Sequence, residues 1–160
     1  MPIMASIAFP SLAKKAKLSD GTTYGWVVLA PSLPSKATFL LLHGYPSSCY
    51  DWRHQIDGLQ KAGYGVIAPD LLGYGDTDKP TDPSAYRTKT MCAHMVEILD
   101  IESLDRVIAV GHDWYTLPLF SFVELFHLVK KISPRLESPA CRLSDRYLGT
   151  VLTQGLETGV

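Results

Sequence analysis

The sequence predicts an α/β protein, an N-terminal β-hairpin followed by parallel strands flanked by helices. Three observations carry this. Ala37–Leu42, Val66–Ala68 and Val107–Val110 are short, continuously apolar runs, as expected of strands covered on both faces. They alternate with helical stretches at Trp52–Ala62 and Thr88–Leu99, and that alternation marks a parallel sheet with helices on its two sides. Ahead of them lie two extended runs, Ala13–Leu18 and Thr23–Leu29, around Ser19-Asp20-Gly21. An Asp-Gly pair between such runs signals a hairpin turn.

Each helix has its own signals. Asp51 is placed to cap the first, and Trp52, Ile56 and Leu59 recur at helical spacing to give one buried stripe. Gly63 is placed to close it. The second helix carries Met91, Met95, Ile98 and Leu99 on one side, with His94 expected at the surface or partly buried, like His54. Leu71–Ala85 reads as a loop rich in Gly, Asp and Pro. After Trp114 the pattern changes. Leu117–Lys131 suits an apolar helix and Leu143–Leu152 a short one, and no further run reads as a buried parallel strand. The expected organisation is residues 1–114 as the first half of a domain and 115–160 as a divergent tail, mostly helical or irregular.

Bulk composition excludes several classes. The 160 residues are 46% hydrophobic, enough for a core, and carry 15 basic against 16 acidic side chains for a net charge of −1. No basic block offers a nucleic-acid footprint. No apolar stretch reaches the ~20 residues of a membrane-spanning helix. Three widely spaced cysteines, with no basic-then-apolar leader, suggest a reducing, cytoplasmic setting. Asp70, Asp76 and Asp78 lack the spacing of a calcium loop, so no metal is expected.

The chemistry lies in the turns. Val107–Val110 runs into Gly111-His112-Asp113-Trp114, a strand ending in the Gly-x-nucleophile elbow pattern. Read alone, Asp113 suits a helix cap as well as a nucleophile. Read with His43-Gly44-Tyr45-Pro46 after the run Ala37–Leu42, Asp70-Leu71-Leu72-Gly73-Tyr74-Gly75-Asp76 after the run Val66–Ala68, and Trp52-Arg53-His54-Gln55-Ile56 on the first helix, the order and spacing resemble the epoxide hydrolases of the α/β-hydrolase superfamily. The resemblance runs from about Ser11 to Trp114.

The resemblance implies the N-terminal part of an α/β-hydrolase fold. It implies Asp113 as the nucleophile that opens an epoxide, leaving an alkyl-enzyme ester hydrolysed to a diol. It implies the backbone N–H groups of Tyr45 and Trp114 as an oxyanion hole, and Pro46 and the Trp114 ring as parts of a pocket for a small hydrophobic epoxide. No cofactor is implied. His43 is expected to be a buried structural group and not a base. Tyr45 stands where haloalkane dehalogenases, the alternative with the same fold, typically carry Asn. The family also uses two lid tyrosines and a histidine–acid pair downstream, for which this sequence offers no positions. Tyr115 stands where the elbow asks for a small residue. The resulting expectation is an incomplete chain, weakly active or inactive. A non-catalytic fragment that associates with a related subunit is the other class. The strand Val107–Val110 would then be an open sheet edge, a template for self-association.

Overall fold

The computed structural model describes residues 3–112 and 151–153. The strands are β1 (Ala13–Lys17), β2 (Thr23–Leu29), β3 (Thr38–Leu42), β4 (Gly65–Asp70), β5 (Ile108–His112) and β6 (Val151–Thr153), and they form one sheet in the order β1-β2-β4-β3-β5-β6. β1 and β2 pair antiparallel, as does β2 with β4, whereas β4, β3, β5 and β6 run parallel. The expected hairpin, strands and fold class are therefore observed. β3 lies between β4 and β5, with Leu40 opposite Ile67 and Leu42 opposite Gly111.

The apolar runs have the composition they do because both faces of the sheet are covered. Leu40, Leu42 and Ile67 face a cluster with Tyr24, Trp26 and the helix α3 (Thr88–Ile101), through Met91, Met95, Ile98 and Leu99. Leu41, Val66 and Ala68 face the opposite cluster, with Trp52 and with Ile56 of the helix α2 (Arg53–Lys61). Adjacent residues on one strand thus enter different cores, which no alternating polar pattern could serve.

The α2 boundary differs from expectation. Asp51 does not cap it. No side chain caps α2; Ser48 instead caps the 3-10 turn Cys49–Trp52 that contains Asp51, accepting from the Tyr50 amide at 3.4 Å, and α2 begins after that turn. The C-terminal end is as expected. Gly63 has φ +79°, its amide reaches the Gln60 carbonyl, and the Tyr64 amide reaches that of Leu59. That pair of bonds is the Schellman closure, which favours glycine.

His94 is also corrected: only 4% of it is exposed. The turn between β1 and β2 folds over α3, so Asp20 Oδ2 lies 2.9 Å from His94 Nε2 and the Tyr24 hydroxyl 3.3 Å from Nδ1. His54 is exposed, as expected.

β5 is set one to two residues later than the apolar run suggested, because its pairing with β3 draws in Gly111 and His112. It is not an open edge along that stretch, since β6 pairs with Val110, Gly111 and His112. Val151 and Leu152, expected in a short helix, stand in β6; the rest of Leu143–Leu152, and Leu117–Lys131, lie outside the described residues. No helix among the described residues is long and apolar enough to cross a membrane.

Candidate active site

Parallel pairing of β3 with β5, Leu42 opposite Gly111, makes the two strands end side by side at the same end of the sheet. The chain leaving β3 is His43-Gly44-Tyr45-Pro46, and the chain leaving β5 follows His112. Asp113, Trp114 and Tyr115 lie outside the described residues. Tyr45 and Pro46 are described: both are exposed, the Tyr45 side of the loop strongly (68%), and the bond between them is cis.

His43 anchors this loop from below. It is fully buried. Its Nε2 accepts the Leu71 amide at 3.0 Å, and Nδ1 lies 2.8 Å from the Gly44 carbonyl. An amide can only donate and a carbonyl only accept, so the proton sits on Nδ1 and the ring is neutral. Burial, the largest influence, pushes its pKa below the ordinary 6.5. With both nitrogens occupied it cannot serve as a base, as its position in the sequence suggested. Its ring meets that of Tyr74 edge to face at 5.4 Å, and Tyr74 in turn meets Tyr45 at 6.4 Å. Burial also pushes the Tyr74 pKa up from the ordinary phenol value.

A residue missed as an organiser is Asp70, the last of β4. It is fully buried, and its carboxylate accepts backbone amides from Cys49 (2.9 Å), Asp76 (2.9 Å) and Ala5 (3.0 Å). It thereby joins the loop after β3, the loop after β4 and the N-terminal segment. The available signal was a charged residue closing an otherwise apolar strand, a position a buried carboxylate occupies only when hydrogen-bonded. Asp76 and Asp78 are likewise engaged by amides, those of Ser6 (2.7 Å) and Thr23 (2.7 Å). Among the described residues no group of three or more His, Cys, Asp or Glu side chains is arranged to hold a metal. Burial pushes the Cys49 thiol far up and that of Cys92 up to about 11, so neither is a thiolate nucleophile near neutrality.

Comparison with known proteins agrees with this architecture. A family described as alpha/beta hydrolase fold matches residues 37–133. Epoxide hydrolase 2 of Siraitia grosvenorii is 42% identical over 101 residues, covering 63% of this chain and 32% of that protein. Epoxide hydrolase A of Mycobacterium tuberculosis is 43% identical over 81 residues, 51% of this chain and 25% of that one. A crystal structure of an epoxide hydrolase from Vigna radiata superposes with a TM-score of 0.62 at 31% identity, over 69% of this chain and 34% of that chain. The chain thus spans about a third of the length of such relatives. By fold, strand order and sequence, the chain belongs to the α/β-hydrolase fold family and is epoxide hydrolase-like, its homologues being epoxide hydrolases matched over part of their length.

Proposed function

We propose that this chain carries the alkylation half of an epoxide hydrolase site, acting on a small hydrophobic epoxide. Asp113 is the nucleophile. One carboxylate oxygen attacks a ring carbon, the ring C–O bond breaks, and the released alkoxide oxygen takes a proton from solvent water, leaving hydroxide in solution. The product is an alkyl ester on Asp113. Water adding to the ester carbonyl would place an oxyanion against the N–H groups of Tyr45 and Trp114, donors of a kind worth about 3–4 kcal/mol each in such sites. Collapse of that intermediate frees a diol and restores the carboxylate. Pro46 and the Trp114 ring line the pocket.

The observation that supports this most is the β3–β5 register. It ends the strand leading to position 113 beside the strand leading to Tyr45. The named relatives are epoxide hydrolases, which favours an epoxide over a haloalkane. The test is intact-mass measurement after exposure to styrene oxide, with peptide mapping. The expected result is one added epoxide per chain, attached at Asp113 and absent in Asp113→Ala. An unmodified Asp113 in a folded chain would refute the assignment.

A further inference from the structure

We infer that the N-terminal turn is a strap that positions the loop carrying Tyr45, with Asp70 and Asp76 as the positioning residues that couple the two. The turn, α1 (Ala5–Ala8), is only four residues long, and Met4 at its N-cap supplies no side-chain cap. A turn this short does not hold by itself in water. Its first two amides are instead bound from elsewhere in the chain, that of Ala5 by Asp70 Oδ2 at 3.0 Å and that of Ser6 by Asp76 Oδ2 at 2.7 Å. The Ser48 hydroxyl donates to the Ile3 carbonyl at 2.7 Å.

All three grips come from the loops around the candidate site or from the end of the strand leading into one of them. Ser48 lies three residues after Tyr45. The Asp70 carboxylate that holds Ala5 also holds the Cys49 amide through its other oxygen, and shares Oδ2 with the Asp76 amide. The strap and the Tyr45 loop are therefore two ligands of one buried carboxylate. The Asp70 carboxylate and the Asp76 backbone are both closely packed against neighbouring chain. A Cβ at Gly75 would overlap the Asp70 carboxylate, and one at Gly25 would overlap Asp76 Cβ. Burial contributes at one position, since Ala5 is fully buried in the core beside Val27 and Trp52 whereas Ile7 is 64% exposed. The polar contacts that fix the strap's first residues are also the loop's own supports. Removing one partner of a buried network leaves the others under-satisfied, so loosening the strap must loosen the loop. Coupling of this kind is reciprocal.

The strap's hold on the loop stands on geometry alone; its effect on chemistry rests on the proposed function. The test uses the full chain and amide hydrogen exchange followed by NMR. Asp76→Ala releases Ser6 without touching the bond between Cys49 and Asp70. Exchange of the Cys49 amide should nevertheless quicken roughly tenfold, while Val27 and Ile67 amides in the sheet keep their rates. Asp82→Ala, at an exposed cap in the loop after β4, should leave Cys49 unchanged. In the reverse direction Ser48→Ala should quicken exchange at Ser6. An unaltered Cys49 amide in Asp76→Ala overturns the inference. If Asp76→Ala instead quickens the whole sheet uniformly, Ser48→Ala decides: a rise at Ser6 upholds the coupling and no rise rejects it. Styrene oxide labelling of Asp113 should slow several-fold in Asp76→Ala at unchanged thermal midpoint. Absence of labelling in the unaltered chain would count against the proposed chemistry, with the exchange result still deciding the strap.

Discussion

At the scale of single residues, the Asp70 carboxylate leaves its surroundings almost no freedom. Gly75 has φ +47°, in the left-handed region, and its α-hydrogen faces that carboxylate so closely that any Cβ would overlap it. Two costs coincide in Gly75→Ala, the backbone strain of a positive φ and displacement of a buried group that holds three amides. We expect a loss of at least about 2 kcal/mol, read as a lower urea midpoint with unchanged slope. A midpoint equal to that of the unaltered chain would mean that the loop after β4 relaxes freely and that Asp70 is not the fixed point described here. The sequence shows a Gly-rich loop, and the family resemblance explains it as one. Which glycine is obligatory depends on a carboxylate five residues away whose position is set by the end of β4.

At the scale of elements, the legible parts were those whose cause is local. The run Ala37–Leu42 announced β3 because burial on both faces leaves no polar position, and Gly63 announced the end of α2 because a left-handed residue there favours glycine. Elements held from a distance gave no such signal. The turn α1 owes its existence to Asp70 and Asp76, 65 and 70 residues downstream of the amides they bind. β6 is three residues long and is a strand only because β5 presents an edge to it. His94 lies on a helix face whose burial depends on the hairpin turn folding over it. For the site itself, the loop His43–Pro46 and its strand were readable from sequence. The amide ligands of Asp70 were not, since they bring together three segments. α2 also offers a test of a purely local effect. Gly58 sits in its exposed face, and a Cβ there would meet nothing within 4 Å. Gly58→Ala should therefore stabilise the chain by about 0.5–1 kcal/mol through helix propensity. Thermal unfolding would show a raised midpoint, and a lowered one would contradict the free space seen at this position.

At the scale of the whole molecule, the buried neutral imidazole of His43 ties folding to pH. Protonation would put a second donor on Nε2 where the Leu71 amide already points, inside a fully buried site. The folded state therefore resists the proton, and the pKa is lowered from 6.5, first by burial. The unfolded chain has no such restraint. Well above pH 6.5 both states are neutral at this group and it contributes no pH dependence. Below that value the unfolded state binds the extra proton, so stability falls as pH falls, with a slope approaching about 1.4 kcal/mol per pH unit. Asp20 acts in a separate, more acid window. Its pKa is lowered to about 2 from 3.8, first by the Thr22 amide and then by His94. Its stabilisation is complete above the unfolded value and disappears as pH falls through the folded one. Asp20 is largely exposed, so its share is small. The two windows separate the causes. Urea midpoints should decline between pH 7 and pH 5 in the unaltered chain, and that decline should flatten in His43→Gln, whose side-chain amide can offer both a donor and an acceptor without titrating. A flat profile in the unaltered chain, or an NMR spectrum showing both His43 nitrogens protonated at pH 6, would show that the imidazole is not locked between Gly44 and Leu71, and the loop that carries Tyr45 would lose its buried anchor.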